Sequence, residues 1–307
     1  MDYLRERAEV VVAPSYEEEA VLPLAREADA IIIRAVGKIT ERVLDNAPRL
    51  RVIGRHGVGL DGIDLEGATR RGIWVVYTPG ANSVAVAEHA VGMMISVAKG
   101  MTLVDREVRR GGWDVRNRRL GKQLHGATLG VIGLGRIGRL VAGTCRRGFD
   151  MRVLYYDIVR YRELEESIPC ELVPLERLLR ESEVVTIHVP LTPLTAGMIG
   201  EAELALMKPD AILINTARGA VVDEEALAEA LQQGRIYGAG VDVFKKEPPE
   251  AGHRLFEAEN AVFTAHMAAH TEEAMAAMST MVAEDVIRVL AGEVPKHAAN
   301  EPRRREE

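Results

Sequence analysis

The run Ala127–Gly138, ATLGVIGLGRIG, restricts this chain more than any other: an apolar strand breaks into three spaced glycines and continues as a helix. That order is the opening of a βαβ unit that binds a dinucleotide. Gly133 permits the tight turn, Gly135 lets the backbone approach a pyrophosphate, and Gly138 allows close contact between helix and sheet. Arg136 and Ile137 begin the helix, whose N-terminus faces the phosphate charge. Asp157 lies nineteen residues beyond Gly138, at the end of the next apolar strand, VLYYD. A carboxylate there accepts both ribose hydroxyls and repels a 2′-phosphate, so NAD is expected in preference to NADP. Arg160 and Arg162, a few residues on, could hold a 2′-phosphate, but the favoured reading is of solvated loop charges.

The rest of the chain is consistent with that unit. Short β-branched runs at Val10–Val12, Ala30–Ile33, Arg51–Ile53 and Trp74–Val76 alternate with amphipathic stretches, which predicts a first parallel sheet. Ser83–Ala98 reads as a helix apolar on most faces, buried between two bodies. A charged, glycine-marked crossing follows. A second alternation then runs through Thr128–Ile132, Val153–Tyr156, Val184–His188, Ala211–Asn215, Gly238–Val241 and Val262–Phe263. These are six strands of a doubly wound α/β sheet, the Rossmann type. A last helix, about 272–290, is expected to return to the first sheet, and the tail EPRRREE to fray. The predicted organisation is a discontinuous, flavodoxin-like α/β domain, 1–98 with 271–307, and a dinucleotide-binding domain, 99–270.

The 307 residues suffice for two such cores, and a hydrophobic fraction of 47% with 28% charged residues is that of an ordinary globular chain. A net charge of −7 gives no general attraction to nucleic acid or anionic lipid. No apolar run reaches the roughly 18 residues needed to span a bilayer, and no leader pattern opens the chain, so a cytoplasmic protein is expected. Cys145 and Cys170 stand alone and predict neither a disulfide framework nor a metal centre.

Three segments place polar residues at the ends of apolar strands: Arg218 in ILINTARG, Asp242 and Glu247 in GVDVFKKEPP, and His266 in VFTAHMAAHT. Ligands of open parallel sheets bind at those carboxyl ends. The set suits reduction of a 2-keto acid. Arginine clamps the carboxylate bidentately, histidine gives a proton to the carbonyl oxygen, and glutamate holds the imidazolium.

In this order and spacing, VIGLGRIGR, NTARGAVVDE, GVDVFKKEPP and TAHMAAHT resemble the D-isomer-specific 2-hydroxyacid dehydrogenase family, which includes phosphoglycerate dehydrogenases and glyoxylate/hydroxypyruvate reductases. The likeness runs from about Ala8 to Leu290. It implies that Arg218, Glu247 and His266 are catalytic and that Asp242 contacts the nicotinamide amide. It implies further that His188, Val189, Pro190, Thr216, Ala217 and Ala268 line the cofactor cleft, between the two domains. Upstream, GRHGVGLDGIDL resembles the family's substrate loop, implying that Arg55 and the N–H groups around Val58 and Gly59 receive the substrate carboxylate. Asn82 reads equally as substrate contact or helix cap, and His89 as a packed or interface residue. The likeness implies a small 2-keto or 2-hydroxy acid as substrate and a homodimer formed through Ser83–Ala98 and the segment with Trp113.

The sequence departs from the family pattern in places. Ala265 stands where proline commonly precedes the histidine, Ala268 and Ala269 where glycines are common, and Gly62 where asparagine often stands. The family's opening strand and first part of the following helix have no counterpart, so the first sheet is expected to expose an edge. Two alternatives share the scaffold: NAD-binding corepressors related to C-terminal binding protein, and phosphite or formate dehydrogenases.

Overall fold

A computed structural model describes residues 2–34 and 37–302. The expected fraying of the tail falls at 303–307, outside the described residues. The chain divides into two compact units, Met1–Asn82 with Thr271–Glu307, and Ser83–His270.

In the first unit, β1 (Ala30–Arg34), β2 (Val52–His56) and β3 (Trp74–Val76) form a parallel sheet in that order. One face packs Ile53 and Val75 against Val43, Leu44, Ala68 and Ile73. The other packs Val52 and Val76 against Val282, Val286 and Val289 of the helix Glu272–Leu290. That helix is capped at both ends by side chains. Thr271 Oγ1 accepts from Ala274 N–H at 3.2 Å, and the Arg51 guanidinium donates to the carbonyls of Val289 and Leu290, each at 2.9 Å. Both contacts satisfy groups that a helix cannot satisfy internally.

The run Val10–Val12, expected as a strand, is not one. Val11 and Val12 are 63% and 70% exposed, and the segment joins neither sheet. β propensity describes fit to a half-buried sheet surface, and without a paired neighbour it organises nothing.

The second unit holds a seven-stranded sheet in the order β10-β9-β8-β7-β4-β5-β6. Its strands are β4 (Thr128–Ile132), β5 (Arg152–Tyr156), β6 (Cys170–Leu172), β7 (Val184–Ile187), β8 (Ile212–Asn215), β9 (Gly238–Val241) and β10 (Ala261–Phe263), all parallel. Six strands were expected. The seventh, β6, is a three-residue edge strand whose apolar positions are interrupted by Glu171, so it leaves no hydrophobic run to read. The winding reverses between β4 and β7, which opens a crevice at their carboxyl ends.

The helix Ser83–Lys99 lies in this second core. Met93, Met94 and Val97 pack with Leu129, Val131, Ile212 and Ile214. The sequence groups residues 83–98 with the first domain, yet their buried side chains fill the second unit. Burying one such side chain is worth about 1.5–3 kcal/mol. The helix bends by 61° into Met101–Arg109, and the segment beyond carries exposed Trp113 and Leu120. Among the described residues, no single helix is long and apolar enough to cross a membrane.

Candidate active site

The glycine turn sits at the crevice between β4 and β7. Gly133 has φ +91°, its N–H donates to Tyr156 O at 2.8 Å, and a Cβ there would lie 2.8 Å from His188 O. At Gly138 a Cβ would lie 2.0 Å from Gly133 O, so the helix Arg136–Phe149 can approach its strand only without a side chain there. Gly135 differs. It is the N-cap residue, and a Cβ there would meet no atom within 4 Å, so an open space faces the helix start. Open space, N–H groups and the positive end of the helix together suit a pyrophosphate.

Asp157 follows β5 and braces the same turn, accepting from Leu134 N–H (2.8 Å) and Val159 N–H (3.0 Å). Arg160 is engaged elsewhere, its Nε and Nη2 donating to Glu165 at 2.9–3.2 Å. Glu165 also accepts from Tyr155 O–H at 2.7 Å, and burial with that bond pushes the phenol up to about 12. The pairing bears on cofactor choice, since a 2′-phosphate would have to compete with Glu165 for this guanidinium.

His188, just after β7, is pushed down to about 3 by burial and is therefore uncharged. Its Nε2 pairs with Thr186 Oγ1 at 2.9 Å, while Nδ1 is buried with no hydrogen-bond partner among the described residues. Thr216 Oγ1, just after β8, is buried and unpartnered in the same way. Unsatisfied polar atoms at consecutive strand ends call for a polar ligand. With Asp157 and the glycine turn they fit a dinucleotide. Val189 packs against the turn, a Cβ on Gly133 lying 2.8 Å from its Cγ1, whereas Pro190 is exposed.

Arg218, Glu247 and His266 meet in this unit. His266 Nδ1 lies 2.7 Å from Glu247 Oε2. Glu247 Oε1 accepts from Phe244 N–H at 3.0 Å. Burial alone drives the Glu247 carboxyl upward, but the hydrogen bond with His266, the Phe244 N–H and the charges of His266 and Arg218 outweigh it, and the group titrates below its ordinary range. Since an ionised carboxylate only accepts, the His266 proton in this bond sits on Nδ1, leaving Nε2 for other chemistry. The ring is about half exposed.

Backbone geometry explains why a loop can hold this pair. His266 has φ +49°, a left-handed conformation uncommon outside glycine. Asp242, fully buried, offsets its cost: His266 N–H donates to Asp242 O (2.7 Å), and the Asp242 carboxylate accepts from Thr264 Oγ1 (2.6 Å), Met267 N–H (2.9 Å) and Ala268 N–H (3.1 Å). Asp242, given a nicotinamide contact by resemblance, thus braces the histidine loop.

Asn215 does the same for the arginine. Its Oδ1 accepts from Ala217 N–H (3.0 Å) and its Nδ2 donates to Arg218 O (2.9 Å). Sequence reasoning passed over Asn215, although a polar residue ending the buried strand ILIN was the available signal. It also passed over Thr264, which joins Asp242 to His89 Nε2 at 3.0 Å. That contact makes His89 part of the support beneath the histidine loop.

The residues implied as substrate contacts, Arg55, Val58, Gly59 and Asn82, belong to the first unit. Arg55 lies on β2, and Gly57 turns the chain at φ +143°, its carbonyl accepting from Thr78 N–H at 3.0 Å. Val58 is 39% exposed. Asn82 Oδ1 is buried without a hydrogen-bond partner among the described residues, so it does not cap the helix that begins at Ser83. His56 pairs with Ser279 at 3.0 Å and is shifted down by burial and by Arg34.

Comparison with known proteins gives this arrangement a lineage. Residues 91–268 match the profile of the D-isomer specific 2-hydroxyacid dehydrogenase NAD binding domain. The chain is 43% identical over 300 residues to a D-3-phosphoglycerate dehydrogenase of Methanocaldococcus jannaschii, covering 97% of this chain and 57% of that protein. It is 44% identical over 286 residues to a glyoxylate reductase of Thermococcus litoralis, covering 91% and 86%. The crystal structure of D-lactate dehydrogenase from Aquifex aeolicus, complexed with NAD and lactic acid, superposes with a TM-score of 0.85 at 33% identity, covering 92% of this chain and 90% of that one. The chain therefore spans little more than half the length of the phosphoglycerate dehydrogenase it matches and most of the glyoxylate reductase. It belongs to the D-isomer-specific 2-hydroxyacid dehydrogenase family.

Proposed function

We propose that this chain is an NAD-linked oxidoreductase that interconverts a small 2-keto acid and the corresponding D-2-hydroxy acid. The observation that carries the reading is the 2.7 Å contact between His266 and Glu247, beside the charge of Arg218 and in the same unit as a dinucleotide turn. When bound, NAD supplies the hydride donor or acceptor for C2 of the substrate. Gly135 and the first N–H groups of the helix Arg136–Phe149 would hold its pyrophosphate, Asp157 its ribose hydroxyls, and Thr216 with its neighbours the nicotinamide end.

The chain's own residues supply the rest. Arg218 clamps the substrate carboxylate through its planar fork. His266 Nε2 gives a proton to the carbonyl oxygen in reduction and removes it from the hydroxyl in oxidation. Glu247 keeps the proton on Nδ1 and stabilises the charged ring. Arg55, Val58, Gly59 and Asn82 are proposed as substrate contacts on the family resemblance. The relatives named above suggest glyoxylate and the oxidation product of 3-phosphoglycerate as first candidates, and the family resemblance adds hydroxypyruvate. NADH oxidation on these and on pyruvate tests the proposal: turnover on at least one supports it, and failure on all refutes it.

We further propose that the protein is a homodimer of the cytoplasm. Met101, Val108, Trp113 and Leu120 are 53%, 42%, 68% and 90% exposed along one stretch of chain, more apolar surface than isolated exposed residues account for.

A further inference from the structure

Glu247 stands on the irregular loop that follows β9, where backbone amides must find partners outside regular structure. Two consecutive amides of that loop are each held by a carboxylate. Phe244 N–H donates to Glu247 itself at 3.0 Å, and Lys245 N–H donates to Glu224 Oε1 at 2.5 Å. Glu224 opens the helix Glu224–Gln232, one short turn after Arg218. Capping of that helix falls to Asp223, whose Oδ1 accepts from Glu225 N–H (3.0 Å) and Ala226 N–H (3.1 Å). Glu224 is thereby left for contacts across the fold.

Its second oxygen, Oε2, lies 3.1 Å from His253 Nε2. His253 Nδ1 accepts from Leu255 N–H at 3.3 Å, so the ring proton sits on Nε2 and points the donor at Glu224. Both side chains are nearly buried, 13% and 19% exposed, and His253 packs edge-on against Phe244 at 5.6 Å. Gly219, the residue after Arg218, presses on the same loop: a Cβ there would lie 2.0 Å from Phe244 C and 2.3 Å from Lys245 N. The Arg218 turn and the Glu247 loop are therefore in backbone contact, with Glu224 tying one to the other.

We propose that Glu224 is a positioning residue: by holding Lys245 N–H and His253, it fixes the 244–247 loop against the Arg218 turn and sets Glu247 at hydrogen-bonding distance from His266. The inference rests on the reading of Arg218, Glu247 and His266 as the catalytic group. It deepens that reading by naming what holds the carboxylate in register.

The test follows the Glu247 carboxyl by carbon-13 NMR titration, and the Phe244 amide by hydrogen exchange, in the parent protein, Glu224→Ala and the milder Glu224→Asp. With the loop released, Glu247 should titrate at higher pH in both variants, since burial then outweighs its weakened hydrogen bonds. Phe244 should exchange about tenfold faster while Leu134, in the glycine turn, keeps its parental rate. Asp223→Ala removes only the helix cap, and should lower stability without moving Glu247. A parental titration and Phe244 exchange rate in the Glu224 variants would overturn the proposal, as would an equal shift in Asp223→Ala. These readouts need no turnover. With NADH and glyoxylate, the kcat losses of Glu224→Ala and Glu247→Gln should be non-additive when combined, because one acts through the other; losses that multiply would also overturn it. Parental glyoxylate turnover in His266→Ala would instead refute the functional reading and leave the NMR result standing.

Discussion

At the scale of single residues, the balance around Glu247 has a definite sign. Burial pushes its carboxyl up, and the hydrogen bond with His266, the Phe244 N–H and the charges of His266 and Arg218 together pull it below its ordinary range. A carboxyl lowered in the folded state contributes stability above the titration range of the unfolded chain, and the contribution is lost as pH falls through the lowered value. Replacing His266 by alanine removes one of the opposing contributions while burial remains, so carbon-13 titration of His266→Ala should find Glu247 at higher pH than in the parent. A second expectation concerns the cofactor. NAD should bind more tightly than NADP, and Glu165→Ala, by releasing Arg160, should narrow the gap; fluorescence titration of both cofactors checks this, and an unchanged ratio would show that Arg160 plays no part. Arg218, Glu247 and His266 were legible in the sequence because each is a polar residue at or beyond the end of an apolar strand. Asn215, Thr264 and Glu224 were not, because their importance lies in which distant amide each one meets. Asp242 was visible as a residue, while its place beneath the left-handed His266 appears only in three dimensions.

At the scale of elements, the glycine turn separates packing from binding. Gly138→Ala forces a Cβ onto Gly133 O at 2.0 Å and should cost about 1–3 kcal/mol in stability, as overpacking does. Gly135→Ala places its Cβ in open space and should melt as the parent does, yet lose NAD affinity by about tenfold or more because the backbone can no longer approach the pyrophosphate. Thermal melts with and without NAD distinguish the two; parental affinity in Gly135→Ala would remove the turn from cofactor binding. Strands buried on both faces, such as β7 and β8, are legible because β-branched and aliphatic residues fill nearly every position of each run. Val10–Val12 misled because a β-branched run needs a neighbour, and β6 escaped notice because only alternate residues on it are apolar. The apolar helix Ser83–Lys99 announced its own burial. Which core it fills could not be read from periodicity, since both faces are apolar.

At the scale of the whole molecule, the exposed apolar stretch through Trp113 and Leu120 predicts association. Light scattering at micromolar concentration should give twice 33.6 kDa, and Trp113→Glu should shift the species toward monomer; a parent protein that is monomeric would contradict the dimer. The central claim is that this chain moves a proton through His266 while a 2-keto acid is reduced. Its most direct test is NADH oxidation by the parent and His266→Ala on the best substrate among glyoxylate, hydroxypyruvate, pyruvate and the oxidation product of 3-phosphoglycerate, with NADH affinity measured beside it. The account predicts a rate about 10²–10⁴-fold lower in His266→Ala with NADH binding unchanged. Near-parental turnover in that variant would contradict it.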